Sequence, residues 1–258
     1  GADSIEDTNF SSLEYSIAGG SPCPEGLLTR WKERTGNEIL EGWGMSEGAP
    51  INCNPTHGIK KSLSVGTTNP RTEIDIVDLK TGEKLMPQGE KGEIRLRGPQ
   101  FSIGYRNKPE ETAKAIRNGW LYTGDIGEID PNDGYLKITD RKKDIIVSAG
   151  GDNISPAKIE NQLSNFTEID QSLIYGDGKN YLVALIVPNK DFINKKEKID
   201  EIVSKINNNL TLVDKIKKFT LINENFSIEN ELLTPTMKVK RNKVIDKYKN
   251  TLENFYNK

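Results

Sequence analysis

One stretch of the sequence places ionic side chains, a short apolar run and a glycine pair side by side. The ionic run 140–144 precedes the β-branched residues Ile145–Val147, and Gly150-Gly151 follow closely. β-branched residues favour a short strand, and a glycine pair lets the backbone turn sharply and lets a ligand approach it. Ser155-Pro156 then predicts a helix start, because serine caps the first turn and proline fits it. The stretch suits contact with a ligand, although a plain surface turn fits the same pattern.

Three further segments, spread along the chain, change this interpretation. They are 41–47 (EGWGMSE), 122–125 (YTGD) and 233–241 (LTPTMKVKR). Together with the stretch that begins at Asp140, they resemble the ordered motifs of the AMP-forming acyl-adenylate ligases. That superfamily comprises acyl-CoA synthetases, luciferases and peptide-synthetase adenylation domains. The last segment resembles the C-terminal lysine motif of long-chain fatty acyl-CoA synthetases. One such segment would be weak evidence, whereas four in this order make a specific match.

The resemblance implies a set of nucleotide-binding residues in the first half of the chain. These are the turn Gly20-Ser21-Pro22 and the motif Trp43-Gly44-Met45-Ser46-Glu47. The turn would follow the adenine edge, and Trp43 would pack against the adenine ring. The Ser46 hydroxyl would contact phosphate, and Glu47 would serve Mg²⁺, a hard cation that prefers oxygen ligands. Without the resemblance, Trp43 would be interpreted as a core residue and Glu47 as a solvated one.

The resemblance also implies roles for residues of the second half. Asp125 would accept hydrogen bonds from both ribose hydroxyls, which suits an ionised carboxylate. Arg141 would lie on the ribose and phosphate side. Asp140 would be the hinge about which the C-terminal domain rotates, and Gly150 and Gly151 would then line the pantetheine tunnel for coenzyme A. Taken alone, the Thr-Gly-Asp sequence predicts only a turn.

Lys238 aligns with the catalytic lysine of the family. Its compact ammonium group would stabilise the charge that develops when a carboxylate attacks the α-phosphate of ATP. The family pattern usually has glycine before this lysine, but here Met237 precedes it, as in many long-chain enzymes. Lys240 is therefore an alternative candidate for the same role. The basic residues farther along, such as Lys247 and Lys249, fit the solvated face of a helix.

Composition limits the other classes of function. The 258 residues carry a net charge of −2, which argues against a dedicated nucleic-acid binder. The single histidine, His57, lies in a loop rich in Pro, Gly and Asn and is interpreted as an exposed loop residue and not as part of a Ser-His-Asp hydrolase site. Cys23 and Cys53 lack CxxC spacing and are interpreted as reduced thiols of a cytoplasmic protein. No apolar run approaches the ~20 residues of a membrane-spanning helix. Peripheral association with a membrane is left open as an alternative.

The pattern of elements predicts two domains with a hinge at residue 140. Residues 1–139 read as the C-terminal part of a large α/β AMP-binding domain with a β-rich subdomain, a twisted sheet or small distorted barrel. Residues 140–258 read as a small α+β lid of ordinary domain size. We predict a loop at 42–44, Lys-rich helices over about 191–209 and 212–218, and one last helix over 242–255.

These observations predict the C-terminal portion of an ATP-dependent fatty acyl-CoA ligase acting on medium to long chains. The reaction would convert a carboxylate and ATP to acyl-AMP, and then acyl-AMP and coenzyme A to acyl-CoA and AMP. ATP or AMP, Mg²⁺ and coenzyme A are the implied cofactors, and fatty acid and coenzyme A the substrates. One alternative is a ligase that loads a carrier protein. Another is a non-catalytic module whose basic C-terminal segment binds anionic surfaces.

The first prediction concerns a motif that the sequence lacks. The family has a Ser/Thr/Gly-rich phosphate loop upstream of the EGWGMSE motif, and nothing in residues 1–42 resembles it. We therefore expect purified residues 1–258 not to catalyse carboxylate-dependent exchange between ATP and pyrophosphate. Exchange at a rate comparable to that of ordinary acyl-CoA synthetases would contradict this expectation.

Overall fold

The computed structural model describes residues 8–257 in two compact units. The first unit comprises the chain up to Thr123 together with Gly127–Ile138, and the second comprises Gly124–Ile126 together with the chain from Thr139 onward. The main division therefore falls next to residue 140. Among residues 8–257, no helix has the length and apolar character needed to cross a bilayer.

The first unit begins with a four-stranded sheet and one helix. Its elements are β1 (Ser16–Gly19), α1 (Glu25–Thr35), β2 (Ile39–Met45), β3 (Gly48–Cys53) and β4 (Thr67–Thr68). The strands lie in the order β1-β2-β3-β4. Strands β1 and β2 are parallel, whereas the remaining pairs are antiparallel. Gly36, with φ +73°, ends α1 in the left-handed conformation that glycine adopts readily.

A second sheet, most of which belongs to the first unit, corresponds to the expected β-rich part; its residues 124–126 and 139–141 belong to the second unit. Its elements are β5 (Glu73–Val77), β6 (Gly92–Arg97), α2 (Pro109–Ala115), β7 (Ile116–Arg117), β8 (Trp120–Ile129) and β9 (Leu136–Arg141). The order is β5-β6-β8-β7, and β9 pairs with β8. Alternating apolar residues such as Ile94 and Leu96 face the core, as a half-buried sheet requires. They belong to one buried cluster that also contains Ile51, Leu121 and Leu136.

The second unit is an α+β arrangement. Its elements are the hairpin β10 (Ile146–Val147) and β11 (Asn153–Ile154), then α3 (Pro156–Ser164), β12 (Ile169–Tyr175), β13 (Leu182–Pro188), α4 (Lys196–Asn208), β14 (Ile216–Leu221), α5 (Arg241–Lys247) and α6 (Lys249–Asn254). The sheet order is β12-β13-β14, with β12 antiparallel and β14 parallel to β13. Strands β12 and β13 form an antiparallel hairpin.

Strand β13 is buried along its whole length, and it supports a core on each face. Leu182, Ala184 and Ile186 belong to a first cluster, which also contains residues of β10, β11, α3 and α4. Val183, Leu185 and Val187 belong to a second cluster, with residues of α5, α6 and the segment before them. Because side chains alternate along a strand, the central strand separates two cores within one small domain.

Three local predictions were wrong. Residues 42–44 continue strand β2 instead of forming a loop, because Gly42 lies opposite Gly19 on one side and Cys53 on the other. The segment 212–218 is not a helix: from Ile216 it pairs with β13, and this tertiary pairing overrides the Lys-rich local pattern. The last helix is interrupted at Tyr248, which gives α5 and α6.

Two glycines of the first unit give a matched test of its packing. Gly66 and Gly134 have φ of +78° and +73°. A Cβ on Gly66 would lie 2.2 Å from the backbone of Cys53, whereas a Cβ on Gly134 meets nothing within 4 Å. Gly134→Ala should lower the free energy of unfolding by about 1 kcal/mol through the left-handed backbone alone. Gly66→Ala should cost about 3 kcal/mol or more, since the clash adds to that term. Urea unfolding measures both values, and equal losses would contradict this packing.

Candidate functional site

The predicted adenine-side residues lie at the ends of two parallel strands. Gly19 ends β1 opposite Gly42 of β2, so the turn 20–22 begins beside the part of β2, Trp43–Met45, that continues paired with β3 alone. A Cβ on Gly19 would lie only 3.1 Å from the Gly42 carbonyl oxygen, and Gly20 has φ +84°. The carboxyl ends of parallel strands are the usual place for ligands in such sheets. The structure thus brings Gly20-Ser21-Pro22 and the EGWGMSE motif to one edge.

Ser46 and Glu47 form the two-residue turn between β2 and β3, with Met45 opposite Gly48. Glu47 Oε1 accepts a 2.5 Å hydrogen bond from the Tyr105 hydroxyl. The Glu47 carbonyl also accepts from the Ser102 N–H at 2.6 Å. The segment 101–105 therefore holds the turn that carries the predicted magnesium ligand. This hydrogen bond raises the pKa of the Tyr105 phenol, and burial adds to the effect.

The buried carboxylate of Glu41 holds the backbone near the same edge of the sheet. Glu41 lies on β2, and its Oε2 accepts from the Leu63 N–H at 2.9 Å. Its Oε1 accepts from the Cys23 N–H at 3.4 Å, directly after the turn at Pro22. Burial raises the pKa of the Glu41 carboxyl, although both backbone donors oppose that shift. The supporting roles of Tyr105 and Glu41 were not predicted from the sequence, because their hydrogen-bond partners are distant along the chain and no local pattern indicates such contacts.

The residues present fit a nucleotide-bound Mg²⁺ ion. Within residues 8–257, no group of three or more His, Cys, Asp or Glu side chains could hold a metal by itself. Mg²⁺ in nucleotide sites, however, is usually held by one or two carboxylates together with substrate phosphates and water. Glu47 offers one carboxylate beside the Ser46 hydroxyl at a half-exposed turn. It could therefore complete the coordination of an ion that arrives with a nucleotide.

Asp125 and Arg141 form an ion pair in the second unit. Asp125 lies on β8 and is almost fully buried, whereas the Arg141 side chain, at the end of β9, is half exposed. Arg141 Nε lies 2.9 Å from Asp125 Oδ1. Gly124 directly before Asp125 has φ +70°, so YTGD is a distorted strand and not a free turn. The structure thus places the two predicted ribose-side residues in contact.

Asp140 links the end of β9 to the start of α3. Its Oδ1 accepts from the Arg141 N–H at 2.7 Å, and its Oδ2 accepts from the Ser155 hydroxyl at 2.5 Å. The Ser155 Oγ also accepts from the Lys158 N–H, which caps the helix as predicted. Burial raises the pKa of the Asp140 carboxyl, and these hydrogen bonds oppose that shift. The contact between Asp140 and Ser155 could not be read from the sequence.

Gly150 and Gly151 lie at the exposed tip of the hairpin β10–β11. Ser148 Oγ accepts from the N–H groups of Gly150 and Asp152, at 3.2 and 3.0 Å. It also donates to Asp152 Oδ2 at 3.0 Å. Gly151 has φ +87°, the conformation that requires glycine at this position. The tip is thus an exposed loop held by its own hydrogen bonds and by one from the Ala149 N–H to the Lys179 carbonyl at 2.9 Å.

Lys238 lies in a tight exposed loop between Leu233 and Val239, which pair as an isolated bridge. The Thr234 N–H donates to the Lys238 carbonyl at 2.8 Å and closes the loop. Met237 has φ +62°, a left-handed conformation that suits glycine. Glycine is the residue that the family pattern has before its lysine. Within residues 8–257 the Lys238 ammonium makes no ion pair, and Lys240 is half-buried at the base of the loop.

Two family models match the chain. The model described as AMP-binding enzyme matches residues 2–106, and the model described as AMP-binding enzyme C-terminal domain matches residues 143–258. With the fold and the ordered motifs, these matches make the chain a member of the AMP-forming acyl-adenylate ligase superfamily. Within it, the chain resembles the long-chain fatty acyl-CoA ligases.

Curated relatives and solved structures agree with this membership. A long-chain-fatty-acid–CoA ligase of Bacillus subtilis is 39% identical over 69% of the chain and 31% of its own length. A long-chain-fatty-acid–[acyl-carrier-protein] ligase of Arabidopsis thaliana is 31% identical over 93% of the chain and 35% of its length. The ATP-bound MatB structure from Rhodopseudomonas palustris is 27% identical, with a TM-score of 0.79, over 92% of the chain and 46% of that protein. The chain thus spans less than half of each.

The contact between Tyr105 and Glu47 gives a prediction about pH. The folded-state pKa of Tyr105 is raised, so the hydrogen bond stabilises the fold below the unfolded pKa of about 10 and is lost as pH rises through the raised value. Tyr105→Phe should cost about 0.5 kcal/mol near pH 8, because partial exposure weakens the contact. The difference from wild type should shrink above pH 10, as measured by urea unfolding.

Tyr15→Phe is the matched control. Tyr15 is an exposed tyrosine of the same unit whose hydroxyl makes no hydrogen bond within the described residues. An ultraviolet difference titration of wild type against Tyr105→Phe should show one phenol with a midpoint above 10. A midpoint at or below the ordinary value would mean that the phenol does not donate to Glu47.

Proposed function

We propose that this chain supplies the nucleotide edge and the C-terminal domain of an ATP-dependent fatty acyl-CoA ligase. One observation carries the proposal. The second unit contains both loops that the family uses, and the two loops are anchored in separate cores on opposite faces of a single sheet. The Gly150-Gly151 loop is flanked by Ile146 and Ile154 of the first cluster. The Lys238 loop is flanked by Leu233 and Val239, which pack in the second cluster. A domain built in this way can offer either loop to a nucleotide.

In the proposed first half-reaction, a fatty acid carboxylate attacks the α-phosphate of ATP, and pyrophosphate leaves. Trp43 and the turn 20–22 would hold adenine, and Asp125 would accept hydrogen bonds from the ribose hydroxyls. Mg²⁺, held in part by Glu47, would neutralise phosphate charge. The Lys238 ammonium would stabilise the negative charge that develops in the transition state. Its exposure and its lack of an ion pair within the described residues suit a group that meets a phosphate.

In the proposed second half-reaction, the thiol of coenzyme A attacks the acyl carbonyl carbon of acyl-AMP, and AMP leaves. The loop at Gly150 and Gly151 would contact the pantetheine arm. The hinge at Asp140 would change a few backbone dihedrals to exchange the loops, as hinge residues do. We propose the domains 1–139 and 140–258 on this basis. The contact from Asp140 to Ser155 would then keep the hinge carboxylate with α3.

The acceptor has one alternative. The Bacillus subtilis relative is named a CoA ligase, whereas the Arabidopsis relative is named a ligase for acyl carrier protein. Both names refer to long-chain fatty acids, so we propose a fatty acid substrate of medium to long chain in either case. Supplying coenzyme A or a holo carrier protein to enzyme-bound acyl-AMP distinguishes the two acceptors.

The test separates the half-reactions in the full-length ligase that carries this chain. Lys238→Ala should lower acyl-AMP formation about 10²–10³-fold, because one preorganised charge contact is lost. Thioester formation from supplied acyl-AMP should be spared. Rapid quench and chromatography of acyl-AMP and acyl-CoA measure the two rates.

Lys240→Ala is the matched control, since it removes an ammonium group two residues away at the half-buried base of the same loop. It should affect neither half-reaction strongly. If Lys240→Ala abolished acyl-AMP formation and Lys238→Ala did not, the assignment would be wrong by two residues. Absence of any carboxylate-dependent acyl-AMP in the wild type would overturn the proposed function itself.

A further inference from the structure

Arg241 follows Lys238 by three residues and begins helix α5, and its side chain is largely buried. Its Nη1 donates to both oxygens of Glu160, at 2.7 and 2.9 Å. Its Nη2 donates to the Ile174 carbonyl at 2.6 Å. The Ile174 N–H donates in turn to Glu160 Oε1 at 2.7 Å. Glu160, Ile174 and Arg241 therefore form a closed ring of hydrogen bonds.

This ring joins the two cores of the second unit around one edge of the sheet. Ile174 lies on β12, which is an edge strand. Glu160 lies on α3, whose Ile159 and Leu163 pack in the first cluster. Arg241 begins α5, whose Val244 packs in the second cluster. The free N–H and C=O of an edge residue are thus taken by side chains from helices that belong to opposite faces.

The Arg241 guanidinium also interacts electrostatically with Asp140, the proposed hinge residue. Burial raises the pKa of the Glu160 carboxyl, and the Arg241 charge opposes that shift. The Arg241 charge likewise opposes the raised pKa of Asp140. Asp140 is also connected to α3 through the Ser155 hydroxyl. One buried arginine therefore balances two carboxylates, one on α3 and one at the proposed hinge.

The loop that carries Lys238 has few other polar ties. Its backbone hydrogen bonds run from Thr234 to Lys238 and from Lys240 to Leu232, and one leaves the segment, from the Leu233 N–H to the Ser227 carbonyl at 2.9 Å. Within residues 8–257, Arg241 is the first residue after Lys238 whose side chain hydrogen-bonds outside the segment 232–240. Buried ion pairs contribute little net stability, but they can select one arrangement over others. The ring is well placed to select the arrangement of this loop.

We infer that Glu160 and Arg241 are positioning residues for Lys238: their buried ion pair sets the loop relative to α3 and so aims the lysine at its phosphate. This inference rests on the proposed function. It assigns no contact with substrate to either residue.

Hydrogen exchange on the 258-residue chain tests the structural part. Arg241→Lys keeps the positive charge but loses the planar fork that reaches Glu160 and Ile174 together. The amide hydrogens of Met237, Lys238 and Lys240 should exchange at least about tenfold faster in this variant. Glu224→Gln is the matched control, because it breaks the exposed pair of Glu224 with Lys247 on the same helix α5. Unchanged exchange in Arg241→Lys would overturn the inference.

The kinetic test uses the full-length ligase. Arg241→Lys should lower acyl-AMP formation about 10–100-fold, as expected when a catalytic group is misplaced by about 1 Å. Thioester formation from supplied acyl-AMP should change little. In a Lys238→Ala background Arg241→Lys should add no further loss, because it acts through the lysine. The control Glu224→Gln should leave both half-reactions unchanged.

A second variant keeps the inference testable if Arg241→Lys does not fold. Glu160→Met with Arg241→Met replaces the ion pair by apolar side chains of similar volume, a change that buried pairs often tolerate. It should show the same selective loss. Equal loss of both half-reactions, or a loss that adds to that of Lys238→Ala, would overturn the positioning role while leaving the proposed function intact. An inactive wild type would instead overturn the proposed function, and the positioning role with it.

Discussion

The burial of strand β13 on both faces is the constraint on which the second unit depends. Its seven residues are all buried, so each face must be covered by other elements. The hairpin that carries Gly150 and Gly151 helps to cover one face, and the segment that carries Lys238 helps to cover the other. The location of the two loops is therefore a result of core packing. The small domain can expose two different loops because elements cover both faces of β13.

In the first unit the equivalent constraint is the close approach of β1 and β2. Gly19 and Gly42 lie opposite each other, and a side chain on either would meet nearby backbone. This contact sets the register that places the turn at Gly20 beside Trp43 of β2. The carboxylate of Glu41 then fixes the chain on both sides of that edge, through backbone N–H groups at Cys23 and Leu63. Small residues allow the approach, and one buried acid secures it.

The sequence predicted the elements with strong local signals and missed those that depend on distant partners. Ser155-Pro156 gave a correct helix start, because a cap acts within a few residues. The Lys-rich pattern before Ile216 gave a false helix, since pairing with β13 decides that segment. The motifs supplied the candidate site residues, but not the contacts from Tyr105 to Glu47 or from Glu160 to Arg241. Such contacts join residues 58 and 81 positions apart, where no sequence periodicity applies.

The fully apolar β13 also affects how the chain can be made. Leu182–Pro188 leaves the ribosome with β12 already available as an antiparallel partner, but its parallel partner β14 follows only after α4. During that interval one edge and both faces of a strongly β-forming segment lack their final cover, which is a setting for aggregation. Lys179 and Lys190 flank the segment, and charges at such positions oppose the stacking of identical strands from different chains. The solubility of the nascent chain therefore depends on residues that have no part in the chemistry.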